Sequence, residues 1–368
     1  MSKSIDPYSR VVKKTLEMLI PFTVHWELTY HCNLRCPHCY VVPQGSRKEL
    51  SCGEIAAILD DLKERGTLYV VFSGGEILMR EDFFDIARYA RKKGFALRLM
   101  TNGTLINGAI ADQVKDLYPL SVEISLYGST PTTHDRMTAC PGSFERSMRA
   151  LRLLGERSIR TVVKGLMMKQ NAAEFQGMKK LASDIGSQFL YDTVIIPRMN
   201  GSMKPCRNRL DGEELYRLLY PEVRERAEDG NSQEDDLSCS AGLNALSISP
   251  YGDVYPCITF KESGGNLTEN SLSEIQHSPI FSKIRSITLT DLRKCKRCEL
   301  VQYCNRCPAL AWLETGDLLG PSKADCLLAS VIKGIIDSKR KGNARGEELL
   351  PSPKPPWKTI DIKGSSIM

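Results

Sequence analysis

Six short aliphatic or β-branched runs punctuate the first 200 residues, at 24–28, 68–72, 96–100, 122–126, 161–168 and 189–196. Longer amphipathic stretches separate them. Strands that alternate with helices need crossover connections, so they pair in parallel. The helical stretches carry their own start and stop signals. Ser51-Cys-Gly-Glu54 is a capping box, and Gly66 stops the helix it opens. Asp82 is placed to cap a stretch that ends at Gly94, Ser143 precedes the next helix, and Asn171 to Glu174 the last. Six βα units are too few to close an eight-stranded barrel. The pattern predicts an α/β fold, an open partial (β/α)6 TIM-like barrel, with a doubly wound sheet as the second possibility. In either, ligands sit at the carboxyl ends of the strands.

The chain has 368 residues, more than one domain needs. We divide it into an N-terminal extension (1–20), the barrel core (21–200), a helical linker (201–238), a cysteine-rich α+β domain (239–335) and a flexible tail (336–368). The linker holds a helix over 211–228 and the polar loop GNSQEDD. Tyr251-Gly252-Asp253 reads as a hairpin turn. The tail is rich in Pro, Gly, Lys and Ser. With 42% hydrophobic and 26% charged residues the composition is that of a soluble globular protein. No apolar run reaches the roughly 18 residues of a membrane span, and the start lacks a signal-peptide pattern, so a cytoplasmic location without membrane attachment is expected. A net charge of +6 without a basic run gives no reason to expect nucleic acid. It suits a small acidic redox partner.

There are thirteen cysteines. In a cytoplasmic chain, clustered cysteines point to metal or catalysis rather than to disulfides. Cys32, Cys36 and Cys39 follow the first strand in a Cys-x3-Cys-x2-Cys loop. Three thiolates can hold three irons of a [4Fe–4S] cube and leave the fourth iron open, as a catalytic site requires. A Cys3His zinc site using His31 or His38 also satisfies these residues. Ser73-Gly74-Gly75-Glu76 ends the second run, where paired glycines permit close backbone approach and a carboxylate can accept from an ammonium. Thr101-Asn102-Gly103 ends the third.

This arrangement resembles the radical S-adenosylmethionine (SAM) superfamily. The resemblance implies that Cys32, Cys36 and Cys39 ligate the catalytic cluster. The amino and carboxylate groups of SAM chelate the unique iron, and reductive cleavage yields a 5′-deoxyadenosyl radical that abstracts hydrogen from substrate. It further implies that His38, where an aromatic is usual, lies by the adenine, and that Gly74, Gly75 and Glu76 hold the SAM amino group. Ile77 stands where the family has proline. Asn102 would lie near the ligand, Ser125 would touch the ribose or carboxylate, and Arg136 would pair with the carboxylate, to which an arginine fork is matched.

A second cysteine field follows. Cys295-x2-Cys298-x5-Cys304-x2-Cys307 is trailed by Cys326 and preceded by Cys239 and Cys257. Alone, two Cys-x2-Cys pairs read as a zinc ribbon. Seven cysteines exceed one tetrahedral ion, and the series resembles the SPASM extension, which binds one or two auxiliary iron–sulfur clusters. The resemblance assigns Cys295, Cys298, Cys304 and Cys326 to one cluster and Cys239, Cys257 and Cys307 to the other. Cys206 could add a ligand; Cys52 and Cys140 read as buried thiols.

The implied function is oxidative hydrogen abstraction by an iron–sulfur enzyme. SPASM members of the PQQ-biosynthesis and sulfatase-maturase type modify ribosomally made peptides or proteins, so peptide maturation is the first expectation, with a precursor substrate and, since about 20 residues precede the first strand, a separate recognition protein. Oxidation of a tetrapyrrole or other small molecule, and sulfatase-type maturation, are the alternatives. A ferredoxin or flavodoxin-type protein would donate electrons. Asp192 and Arg198 are candidate substrate contacts. The reading outside enzymology is a zinc-binding structural module.

Overall fold

A computed structural model describes residues 6–42, 45, 47–226 and 239–340. In chain order its elements are α1 (Pro7–Glu17), β1 (Thr23–Thr29), α2 (Cys52–Glu64), β2 (Tyr69–Gly74), α3 (Phe83–Lys92), β3 (Ala96–Thr101), α4 (Gly108–Asp116), β4 (Ser121–Ser125), α5 (Pro131–Thr138), α6 (Ser143–Glu156), β5 (Thr161–Leu166), α7 (Phe175–Asp184) and β6 (Gln188–Asp192). There follow α8 (Gly212–Arg226), β7 (Ala245–Ile248), β8 (Asp253–Tyr255), β9 (Gly265–Asn266), α9 (Leu272–Gln276), α10 (Pro279–Arg285), α11 (Pro308–Thr315) and α12 (Lys323–Arg340).

A nine-stranded sheet runs β6-β5-β4-β3-β2-β1-β7-β8-β9. Strands β1 to β6 are parallel and in sequence order, without the reversal of a doubly wound sheet. β7 adds in parallel on the free side of β1, and β8 and β9 finish the sheet antiparallel. β6 and β9 are left as edges, so the barrel stays open. Within the described residues the chain forms two compact units. One comprises the described residues of 6–209 with 239–287 and holds all nine strands; the other comprises 210–226 with 288–340. In the second unit α8 lies along α12, with Tyr216 Oη 3.5 Å from Ser338 Oγ.

One face of the parallel strands is largely apolar. Val24, Trp26, Leu28, Val70, Phe72, Leu97, Leu99, Val122 and Ile124 are at most 1% exposed. The helices bury their own stripes, including Ile55, Leu59 and Leu62 of α2 and Phe83 and Ile86 of α3. Ser51 and Glu54 form the expected capping box, and Gly66 and Gly94 follow their helices with positive φ. Tyr251-Gly252-Asp253 turns between β7 and β8 as expected.

Several local expectations need correction. The sixth strand stops at Asp192, not 196, because its carboxylate accepts from Val194 N at 2.7 Å and turns the chain. Asp82 stands before α3, yet its carboxylate holds Arg80 instead of a helix N–H. Ser143 is the first residue of α6 rather than its cap. Asp135 does the capping, accepting from Gly142 N at 2.6 Å, Phe144 N at 2.8 Å and the Ser143 hydroxyl at 2.9 Å. Glu174 accepts from Ser129 and Thr130, leaving a short 3-10 turn before α7. The N-terminal extension holds α1, capped by Asp6. α12 continues to Arg340, so residues 336–340 of the expected tail are helical. The GNSQEDD loop and residues 341–368 lie outside the described residues.

Burial alone would raise the Asp135 carboxyl, but hydrogen bonds from Phe144, Gly142 and Ser143 hold it below the usual range. A folded-state value below the unfolded one stabilises the fold above that unfolded value, about 3.9, and the contribution fades as pH falls through the folded value. Asp135→Ala should therefore cost about 1–3 kcal/mol near neutral pH in urea unfolding, a difference that shrinks in acid. Asp61→Ala, which breaks a half-exposed i,i+4 pair with Arg65, should change stability by less than about 1 kcal/mol. Equal effects of the two would contradict the capping role.

Candidate active site

The strand ends that face the same way carry the three-cysteine loop, and that loop is built by a close approach of two backbones. Gly75 N donates to Thr29 O and Glu76 N to His31 O, both at 2.8 Å, extending the β1–β2 ladder past the strands. A Cβ on Gly74 would stand 2.2 Å from Thr29 O, and one on Gly75 2.2 Å from His31 O. Gly74 also has φ +130°. The two glycines thus admit the chain's own cysteine loop. β1 shifts register between Glu27 and Thr29, a bulge of the kind found beside active sites. Arg80 Nη1 caps the bulged carbonyl of Leu28 at 3.0 Å, and Glu49 accepts from Tyr30 N and Thr29 Oγ1, each at 2.9 Å.

Glu76 is fully buried and ties the second strand end to the third. Its carboxylate accepts from Thr101 Oγ1 at 2.6 Å, Asn102 N at 2.7 Å and Leu78 N at 3.1 Å. Burial raises its pKa and these donors oppose the rise. Asn102 Nδ2 then reaches Asn33 Oδ1 at 2.8 Å and Cys32 Sγ at 4.0 Å. The path Glu76–Asn102–Asn33 therefore positions the loop at Cys32.

Burial pushes the Cys36 thiol far up, with Cys39 and Cys32 adding to the rise. Cys32 and Cys39 are raised by burial as well. Among the described residues no three His, Cys, Asp or Glu side chains converge on a single-ion position. The three thiols nonetheless lie close enough to act on one another's charge. Thiols held protonated by burial release their protons when iron binds.

An aromatic row flanks them. His38 is 6% exposed and meets Tyr127 edge-on at 4.4 Å between ring centres; Tyr127 stacks on His134 at 5.9 Å. Burial pushes His38 and His134 down to about 4, which leaves both rings neutral. His38 Nδ1 and His134 Nε2 are buried without a hydrogen-bond partner among the described residues. Arg198 Nε is likewise unpartnered, and its charge favours the Cys39 thiolate. Ser125 hydrogen-bonds the Tyr127 phenol. Unsatisfied buried polar atoms beside clustered thiols fit a polar cofactor better than a closed core.

Of the residues expected from sequence, Cys32, Cys36, Cys39, His38, Gly74, Gly75, Glu76, Asn102 and Ser125 gather at this end of the sheet. Arg136 sits exposed on α5 and donates to Gln170 O at 3.3 Å, and Asp192 is exposed. Cys52 opens α2 and Cys140 faces Arg146 at 3.2 Å. In the second unit, Cys295, Cys298 and Asp325 each act on both Cys304 and Cys326, raised to about 12 and about 11 chiefly by burial. Cys239 acts on Cys257 in the first unit. Cys307 N donates to Asp325 Oδ2 at 2.9 Å.

Sequence reasoning missed Tyr127, His134, Arg80, Glu49 and Glu27. Glu27 is 2% exposed on β1 and accepts from Tyr40 Oη at 2.5 Å and Tyr30 Oη at 3.0 Å. A carboxylate between Trp26 and Leu28 on β1 was the available signal.

Comparison with known proteins agrees with this geometry. Residues 26–182 match the radical SAM superfamily model, and residues 239–308 match SPASM, an iron-sulfur cluster-binding domain. The chain belongs to the radical SAM superfamily and carries a SPASM domain. It is 27% identical to the AdoMet-dependent heme synthase of Methanosarcina barkeri over 81% of this chain and 94% of that one. It is 28% identical to the mycofactocin maturase MftC of Mycolicibacterium smegmatis over 77% of each. Streptococcus suis SuiB, solved with its precursor peptide SuiA, shares the fold with a TM-score of 0.69 at 18% identity, covering 88% of this chain and 82% of that one.

Gly75→Ala should cost about 1–3 kcal/mol in urea unfolding, because its Cβ meets backbone. Gly155→Ala, on α6 with nothing within 4 Å, should stabilise by about 0.5–1 kcal/mol. A neutral Gly75→Ala would contradict the close-packed ladder.

Proposed function

We propose that this enzyme oxidises a carboxylate-bearing side chain of a tetrapyrrole by hydrogen-atom abstraction. One observation carries the substrate class: the heme synthase relative aligns over 94% of its own length, the peptide maturase over 77%. Peptide maturation is the second reading, favoured by that maturase relative at 28% identity.

The bound clusters and SAM supply an organic radical that takes a hydrogen atom and a sink for the electron left behind. The chain's own residues set the geometry. Cys32, Cys36 and Cys39 would hold the catalytic cluster as its three protein thiolates. Glu76 and Asn102 fix Cys32, while His38, edge-on to Tyr127, offers a neutral ring and a free Nδ1 for adenine. Gly74 and Gly75 line the SAM amino end through their backbone, and Ser125 serves the ribose end; Arg136 would have to leave Gln170 O to reach the carboxylate. Arg198, coupled to Cys39, adds a cation there. Cys295, Cys298, Cys304 and Cys326 hold one auxiliary cluster, and Cys239 and Cys257 contribute to another. A ferredoxin or flavodoxin-type donor supplies electrons, and the reaction is cytoplasmic. No helix among the described residues is long and apolar enough to cross a membrane.

Anaerobically purified protein should be brown, carry roughly eight to twelve irons, and form 5′-deoxyadenosine from SAM and a strong reductant. Cys36→Ala should abolish that product. Cys298→Ala should lose about four irons and the substrate-derived product. A colourless zinc protein, or deoxyadenosine from the Cys36 variant, would overturn the assignment.

A further inference from the structure

The inner wall of the open barrel carries charged side chains where a closed barrel is filled with Val, Ile and Leu. On β3, β4 and β5 the apolar residues Leu97, Leu99, Val122, Ile124 and Val163 are buried on one face. Arg98, Glu123 and Lys164 alternate with them on the other. Glu123 is the anchor of this wall, with its side chain 1% exposed. Arg98 Nε donates to Glu123 Oε1 at 2.8 Å, and Arg98 Nη2 donates to the same oxygen. Lys164 Nζ stands 3.5 Å from Oε2, an atom that receives no hydrogen bond among the described residues.

The two cations differ from the acid between them. Arg98 is 40% and Lys164 37% exposed, so both head groups reach the open side while the carboxylate lies beneath. Among the described residues no acceptor is paired with Arg98 Nη1. Two positive charges share one negative charge. The excess is felt across the concavity: burial, then the charges of Arg98, Lys164 and Lys261, push His25 on β1 down to about 4. His25 is thus neutral, 2.5 Å from Ser73 Oγ through Nε2. Lys261 has its own counter-charge in Glu27. The unbalanced charge therefore belongs to the Arg98–Lys164 pair.

We propose that Arg98 and Lys164, held side by side by Glu123, form a binding site for a carboxylate of the substrate on the inner wall of the barrel. The second carboxylate completes the charge balance, and the uncommitted guanidinium edge and the ammonium donate to its two oxygens. A buried acid that fixes two half-exposed cations keeps them pre-aimed, which lowers the ordering cost of binding. The site rests on the reading of the chain as an enzyme of carboxylate-bearing substrates. The same chemistry is offered by a tetrapyrrole side chain and by an acidic peptide.

The test uses the anaerobic holoprotein. Coproporphyrin III and its tetramethyl ester are titrated by Soret absorbance, and a short labelled glutamate-rich peptide and its glutamine counterpart by fluorescence anisotropy. Wild type should prefer the acid in one pair by about tenfold or more, since charge-assisted hydrogen bonds are at stake. Preference within the porphyrin pair assigns the carboxylate to a tetrapyrrole; preference within the peptide pair assigns it to a peptide. Arg98→Gln with Glu123→Gln avoids stranding a buried charge, and Lys164→Gln leaves Arg98 to satisfy Glu123. Each variant should lose most of the acid preference while retaining iron content and circular dichroism. Absence of any acid preference in wild type, or its retention in both variants, would overturn the site. Deoxyadenosine formation by wild type reports separately on the radical SAM chemistry, so either conclusion can fail without the other.

Discussion

The close approach of the β2 terminus to the start of the cysteine loop is the constraint from which the rest of the site follows. Two successive N–H groups, of Gly75 and Glu76, continue the ladder onto the residues just ahead of Cys32. Side chains at 74 and 75 would force the backbones apart. Once the ladder is closed, Glu76 points inward, where three donors from the second and third strand ends meet it. A buried carboxylate with three hydrogen bonds is rigid and costly to disturb. It carries Asn102, and through it Cys32, to a defined place. The glycine pair and the acid are therefore scaffold for the thiolates as well as candidates for ligand contact.

Much of the barrel was legible because its signals are local. Strand existence followed from hydrophobic runs, and the Ser51–Glu54 box and Gly66 are short-range chemistry that tertiary packing did not alter. What escaped was set by contacts distant in sequence. Asp135 caps α6 from a helix away, and Glu174 reaches back more than forty residues to Ser129, Thr130 and Thr133. Asp135 drew Ser143 away from the role that spacing assigned it, and Asn171 is held instead by Met168 N, Leu166 O and Tyr127 O. Arg80 reads as a solvated charge, yet it is buried against the bulge that launches the loop. The cysteines were the strongest signal for the site. Its aromatic row was invisible, because Tyr127 and His134 meet His38 only through the fold.

The barrel departs from the packed-core rule where function would need it to. Local rules of burial hold on the helix-facing side of β1 to β5 and are broken on the other side at Glu27, Arg98, Glu123 and Lys164. Such breaches concentrate at functional surfaces. Each buried acid here is matched by cations or phenols, so the polar lining does not strand charge. The outcome is a barrel face on which Arg98 and Lys164 flank the buried Glu123.

Radical chemistry at this site requires an iron at the three-thiolate loop that the protein leaves without a side-chain ligand. Electron paramagnetic resonance of the dithionite-reduced holoprotein, recorded before and after addition of S-adenosylmethionine, reads that vacancy directly. The spectrum of one cluster should change on addition, as a ligand enters its open position, and the change should be absent from the Cys36→Ala variant. Superimposable spectra from wild-type protein with its full iron complement would contradict the account.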